Sequence, residues 1–437
     1  MTTGIDFSKY QKALEGPLYK NLGKILNSVG LAIEAAGPVS KKGDVCLIYP
    51  EGEAAEPVRA EVVGFRDGKT LLMPYGNVEG IKIGSLVENT NKPLQVLVSD
   101  DLLGKILNGI GEPLDGSPVY GGESYSVEAA PPDPMKRKII TEVLPLGVKA
   151  VDGLMTLGKG QRIGIFAGSG VGKSTLMGMF ARNTDADINV IALIGERGRE
   201  VREFIERDLG EEGMKRSVVV CATSDRPALE RNKAAKTATA IAEYFRDHGR
   251  DVLLMMDNMT RFSMAQREIG LASGEPPVSR GYPPSVYAEM PKLLERAGCS
   301  DVGSITGLYA VLVDGDDFNE PITDTARGIL DGHIMLTRSL AQKNHYPAVD
   351  VLQSISRCMS AVASKEHKKA AGKLKSVLAT YNDAEDLINI GAYKRGSNQD
   401  IDYAIEKIRG VNDFLMQEVD AKFSFEDTVG QMEAMVN

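Results

Sequence analysis

The chain of 437 residues carries 51 Lys and Arg against 60 Asp and Glu, a formal charge of −9, and 43% of its residues are hydrophobic. That length exceeds what one hydrophobic core organises, so roughly two or three domains are expected. The acidic balance argues against wholesale wrapping of nucleic acid and leaves room only for a local basic patch. Cys46, Cys221, Cys299 and Cys358 lie far apart without C-x-x-C spacing, and the histidines add no ligand pattern beside them, so a reducing cytoplasm and no structural metal are expected. The opening MTTGIDFSKYQKALEG is charged where a signal peptide is apolar, and no apolar run reaches membrane-spanning length, so no membrane-embedded segment is expected.

In chain order, Phe7, Tyr10 and Leu14 fall on one helical face that stops at Gly16-Pro17, either a tail packed on its own domain or a partner-binding helix. Short strands follow at Asp44 to Tyr49, Ala60 to Phe65, Thr70 to Met73 across Asp67-Gly68, and Ile81 to Val87, which suggests a small barrel. The run Ala129-Ala-Pro-Pro-Asp-Pro134 reads as a stiff connector. From about Val148, strands alternate with helices: Asn189 to Ile194 precedes a helix carrying Val201, Phe204, Ile205 and Leu209, and Val218 to Cys221 precedes one from Ala234 to Phe245. That rhythm predicts a largely parallel sheet covered by helices. Past Ser364 the pattern turns helical and polar. It includes a basic stretch with Lys365, Lys368, Lys369, Lys373 and Lys375, read as a solvated face.

Three segments carry chemistry. In Ile163 to Thr175, IGIFAGSGVGKST, a buried strand breaks into glycines and then opens a helix. Gly168, Ser169, Gly170, Val171 and Gly172 can turn their N–H groups inward around phosphates; Lys173 can reach the β and γ phosphates and Ser174, followed by Thr175, can hold magnesium. Ala167 stands where the usual motif has its first glycine. In IALIGERGRE a strand ends in Gly195 and presents Glu196 and Arg197, which suit polarising an attacking water and balancing charge on the transferred phosphate; a surface ion-pair cluster is the plain alternative. In DVLLMMDNMTR, five apolar residues lead to Asp257, placed to contact magnesium directly or through water.

Together with DNMTRFSMAQREI, GEPPVSRGYPPSVYAEMPKLLERAG, ARGILDGHIMLTR and HYPAVDVLQSISR, these runs resemble the ATPases that energise type III protein export, over almost the whole chain. The group is related to the catalytic β subunit of rotary ATP synthases. Gly198 stands where rotary β subunits have threonine, the acidic DELSEED stretch is absent, and Pro131 to Arg137 resembles flagellar more than injectisome members. A nucleic-acid motor is disfavoured because the barrel region lacks aromatic RNA-stacking motifs.

The resemblance implies an α/β P-loop (RecA-like) ATPase domain with an N-terminal β-barrel and a C-terminal α-helical domain. Its boundaries fall at 1–18 for a partner-binding helix, 19–95 for the barrel, 96–363 for the ATPase domain and 364–437 for the helices. It implies a cytoplasmic homohexamer peripheral to the inner face of the membrane at the flagellar base, with ATP and magnesium as cofactors. Glu196 is then the base or water-orienting residue, Lys173 and Arg197 are phosphate ligands, and Ser174 and Asp257 are magnesium partners. Arg357 becomes the arginine supplied to a neighbouring subunit's nucleotide, and Tyr346 an aromatic stacked on adenine. Implied partners are a stator-like regulator at the N-terminal helix, a stalk-like protein in the pore near Gly281 to Ser285, export chaperones and substrates, and a membrane export gate.

Overall fold

The computed structural model describes residues 21–51, 56–313 and 320–436; the helix expected within 1–18 lies outside them. The chain divides into two compact units, Met1–Leu94 with Leu271–Glu275, and Gln95–Gly270 with Pro276–Asn437.

Six antiparallel strands of the first unit, β1 (Leu22–Val29), β2 (Ala32–Ala36), β3 (Asp44–Tyr49), β4 (Val58–Arg66), β5 (Lys69–Pro74) and β6 (Leu86–Pro93), close a barrel in the order β1-β2-β5-β4-β3-β6. Alternate side chains such as Ile25, Ile33, Ile48, Val62, Leu72 and Val87 fill its interior. Closure leaves no open strand edge. The β4–β5 hairpin turns at Asp67 and Gly68, both left-handed at φ 49° and 73°, the geometry of the tight turn that Asp-Gly favours. One expected strand is displaced. Ile81 to Val87 does not form a strand throughout, because Lys82 to Ser85 closes a turn (Ser85 N–H to Lys82 O, 3.0 Å) and the strand starts only at Leu86.

The second unit is built on a sheet of β7 (Arg162–Ala167), β8 (Ile188–Ile194), β9 (Ser217–Ala222), β10 (Asp251–Asp257), β11 (Ser304–Leu312), β12 (Gly332–Leu336) and β13 (Val349–Ser356), ordered β13-β12-β7-β11-β10-β8-β9. The neighbours run parallel except β13, which is antiparallel to β12. The two-residue strand Ile106–Leu107 extends the edge beside β9. All seven residues of β8 are buried, as expected where helices cover both faces. Helices α1 (Lys149–Leu154), α2 (Lys173–Asn183), α3 (Gly198–Glu203), α4 (Ala228–Asp247) and α5 (Met259–Ala272) belong to this layer. The helix expected around Val201 to Leu209 is α3 followed by a π-helical turn, Phe204–Leu209.

The C-terminal helices α6 (Lys365–Asn389), α7 (Gln399–Leu415) and α8 (Phe425–Val436) share one core with the sheet layer: Leu374, Val377, Phe414 and Met432 join the same buried cluster as Leu154, Phe180 and Met255. Ser364 caps α6 by accepting from the His367 N–H at 3.0 Å, and the His367 ring meets the Gly153 carbonyl of α1 at 2.7 Å. Lys365, Lys368, Lys369 and Lys373 face solvent, as expected, while Lys375 is half-buried.

The α4 helix is tied down by a desolvated ion pair. Arg296 donates from Nε and Nη2 to both Glu243 oxygens at 2.9 and 2.6 Å, and from Nη1 to the Val127 carbonyl at 2.8 Å. Removing one partner leaves the other charge buried, so Glu243→Gln should cost about 3–5 kcal/mol. A urea-midpoint shift near zero, with the slope unchanged, would contradict this.

Candidate active site

The β7 strand delivers its last residue, Ala167, into the sheet opposite Leu312 and Leu336, and the Ala167 carbonyl accepts from Val313 N–H at 3.0 Å. This explains the departure from the usual glycine: the position is still strand, and a methyl group fits there. The turn comes after it. Gly170 and Gly172 hold φ of 77° and 87°, values that a Cβ disfavours, and α2 begins at Lys173. Ser169, Gly170 and Ser174 are exposed, so the loop and helix start open to an incoming anion.

Lys173 crosses to the carboxylate of Asp257 at the end of β10, where it forms an ion pair, the two side chains 14% and 6% exposed. The register explains the meeting: Asp257 lies opposite Leu193 on β8, and Glu196 follows three residues beyond Leu193, so both carboxylates emerge at one sheet edge. Open parallel sheets bind ligands at that edge. Thus the structure brings together Lys173, Ser174, Glu196 and Asp257. A cavity of about 110 Å³ is lined by Ser174, Leu193, Glu196, Glu200, Phe204 and Asp257.

Burial and the neighbouring charge of Asp257 push the Glu196 carboxyl up to about 7, with Lys173 opposing the shift. Asn258, not singled out in the sequence, positions this group: its Nδ2 donates to Glu196 Oε1 at 2.8 Å, while its Oδ1 accepts from Arg261 N–H at 2.8 Å in the first turn of α5. An asparagine just before a helix is a capping signal, but its second bond reaches 62 residues back and has no local signature. Asp257 and Asn258 are joined by a cis peptide bond.

The other candidate residues do not join this cluster directly. Arg197 is 81% exposed and pairs with Glu200 at 3.1 Å. Thr175 is turned to Asp208 in the π-helical turn. Tyr346 lies beside the loop, since a methyl built on Gly172 would stand 3.6 Å from its ring. Arg357, exposed, follows Ser356 at the end of β13, opposite Gly332. Gly332 begins β12, whereas Leu336, at the other end, is level with the start of the phosphate loop. Four strand steps, about 13 Å at roughly 3.3 Å each, exceed the reach of an arginine side chain, so Arg357 does not meet the loop of its own chain.

Ser174, Glu196, Glu200 and Asp257 offer only oxygen donors, which suits a hard divalent cation. No group of three or more His, Cys, Asp or Glu among the described residues forms a ready metal cage.

The nucleotide-binding domain of the ATP synthase alpha/beta family matches residues 147–356, the beta-barrel domain of the same family residues 25–91, and the T3SS EscN ATPase C-terminal domain residues 363–434. A flagellum-specific ATP synthase of Bacillus subtilis (strain 168) is 58% identical over 95% of each chain. A type 3 secretion system ATPase of Xanthomonas euvesicatoria is 53% identical over 94% of this chain and 93% of its own. The structure of the assembled ATPase EscN in complex with its central stalk EscO, from the type III secretion system of enteropathogenic E. coli, superposes with a TM-score of 0.88. It is 46% identical, covering 95% of this chain and 100% of that one. With the barrel, the P-loop sheet and the C-terminal helices all matched, the chain belongs to the ATP synthase alpha/beta family, in its branch of flagellum-specific and type III secretion ATPases.

Proposed function

We propose that this chain hydrolyses magnesium-bound ATP at the interfaces of a homohexameric ring and thereby energises type III export of flagellar proteins. The observation that carries the reading is the split site: Lys173, Asp257, Glu196 and Asn258 converge at the phosphate loop, while Arg357 lies at the far end of the strands. In this reading the N–H groups of Gly168 to Gly172 cradle the phosphates and Lys173 leaves Asp257 to bind them. Ser174 and Asp257 hold magnesium, which when bound neutralises phosphate charge. Glu196, held by Asn258, orients and deprotonates the attacking water. Arg197 reaches the phosphates by leaving Glu200, and Tyr346 covers the adenine face. Arg357 comes from the adjacent subunit.

The flagellar system is favoured by the Bacillus subtilis relative, and virulence-type secretion by the Xanthomonas euvesicatoria relative, which is nearly as similar. The EscN–EscO assembly motivates a stalk protein in the pore near Gly281 to Ser285. A regulator at residues 1–18, chaperones and substrates at the C-terminal helices, and a membrane gate reached from the cytoplasm complete the set of partners. No helix among the described residues is long and apolar enough to cross a membrane, so the contact with the gate is peripheral in this reading.

Expression in bacteria lacking their own flagellum-specific ATPase tests the proposal. The wild-type chain should restore flagellin export and swimming, and Lys173→Ala should not. Restoration by Lys173→Ala, or rescue only of an injectisome-deficient strain, would overturn the flagellar reading.

A further inference from the structure

Gln417, two residues past the end of α7, is buried to 7% exposure and uses its whole side-chain amide. Its Oε1 accepts from Lys149 N–H at 3.0 Å, and its Nε2 donates to the carbonyls of Gly147 and Ala421 at 2.9 and 3.0 Å. Its main-chain N–H donates to the Tyr346 carbonyl at 3.0 Å. One residue therefore joins the entry to α1, the turn after α7 and the Tyr346 segment. The turn is braced further: the Lys149 ammonium lies 5.3 Å from the centre of the Phe414 ring and 4.6 Å from that of Phe423, and Arg182, at the end of α2, donates to the Val419 carbonyl at 2.8 Å. Tyr346 itself is 42% exposed, and its ring lies against Gly172. An aromatic ring with one open face suits a stacked base, but only if its backbone is held still.

We propose that Gln417 is a positioning residue that fixes Tyr346 beside the phosphate loop, so that the ring meets the nucleotide base. The inference rests on the adenine-stacking reading of Tyr346. Because the side-chain amide sets the turn that presents the Gln417 N–H, its loss frees the Tyr346 carbonyl and lets the ring drift without touching the loop glycines or Lys173. Base recognition weakens and phosphate recognition does not.

The test is steady-state ATP hydrolysis by the full-length chain, with magnesium tripolyphosphate as a competitive inhibitor that carries phosphates and no base. Gln417→Leu and the near-isosteric Gln417→Glu, which replaces both donors with a carboxyl oxygen facing the Gly147 and Ala421 carbonyls, should raise KM for ATP about five- to tenfold and change kcat by less than about twofold. The tripolyphosphate inhibition constant should stay unchanged. Neither substitution should raise KM further in a Tyr346→Ala background. The proposal is overturned if either folded variant keeps the wild-type KM while Tyr346→Ala raises it. It is equally overturned if tripolyphosphate binding weakens in step with ATP, or if the Gln417 effect persists without Tyr346. Should Tyr346→Ala itself leave KM unchanged, the stacking reading falls, and this inference with it.

Discussion

Arg357→Ala should lower ATP turnover by about 10³- to 10⁵-fold, equivalent to about 4–7 kcal/mol of transition-state stabilisation. The expectation comes from the position of the residue. Ser356 pairs with Gly332 at the entry end of β12, while the phosphate loop leaves β7 at the opposite end, level with Leu336. A guanidinium so placed contributes nothing to hydrolysis within its own chain. In the proposed ring of identical subunits it would instead serve a neighbour's site, meeting charge that develops on the transferred phosphate. Nucleotide affinity of the isolated variant should change little, because Lys173, Ser174 and Asp257 stay in place. An exposed arginine serving only in a surface ion pair would give a variant within about twofold of wild type.

Glu196→Gln should reduce kcat by about 10²- to 10⁴-fold while leaving ATP binding largely intact. Glutamine keeps the size of the side chain and can still meet Asn258, so the loss isolates the carboxylate's ability to take a proton. The pH profile adds an independent check. Burial and Asp257 raise the Glu196 carboxyl to about 7. A base must be unprotonated to act, so kcat/KM should climb close to tenfold per pH unit below about 7 and level off above it. A carboxylate at its ordinary value near 4.5 would instead give a flat profile from pH 5.5 upward. The residual rate of Glu196→Gln should lose the slope. If it keeps the slope, another group is titrating and Glu196 is not the base.

The phosphate loop was legible because its requirements are local: glycines where φ must be positive, a lysine and a serine at the helix start, and apolar flanks. Asp257 was legible for the same reason, as a charged residue ending an apolar strand. What the sequence concealed is non-local. Asn258 reads as an ordinary helix cap, and its bond to Glu196 exists only because β8 and β10 are neighbours in the sheet. The distance between Arg357 and its own loop depends on β13 running against β12, an antiparallel edge that a strand of mixed polarity does not announce. In the barrel, Leu86–Pro93 carries Glu, Asn, Thr, Asn and Lys because much of that strand faces outward, so the alternating Ile81 and Ile83 just before it place the expected strand too early. The polar character past Ser364 hid how deeply Leu374, Phe414 and Met432 enter the common core, since each helix buries only one stripe.

The most direct test of the split site is ATPase rate per subunit against protein concentration, for wild type, Glu196→Gln, Arg357→Ala and an equimolar mixture of the two variants. Interfacial catalysis predicts that the wild-type rate per subunit rises with concentration and that each variant alone keeps only its small residual rate. In the mixture activity returns, because random assembly restores about a quarter of the interfaces to a wild-type pairing of Glu196 with a neighbour's Arg357. A rate per subunit independent of concentration, with Arg357→Ala as active as wild type and no gain on mixing, would mean that each chain carries a complete site.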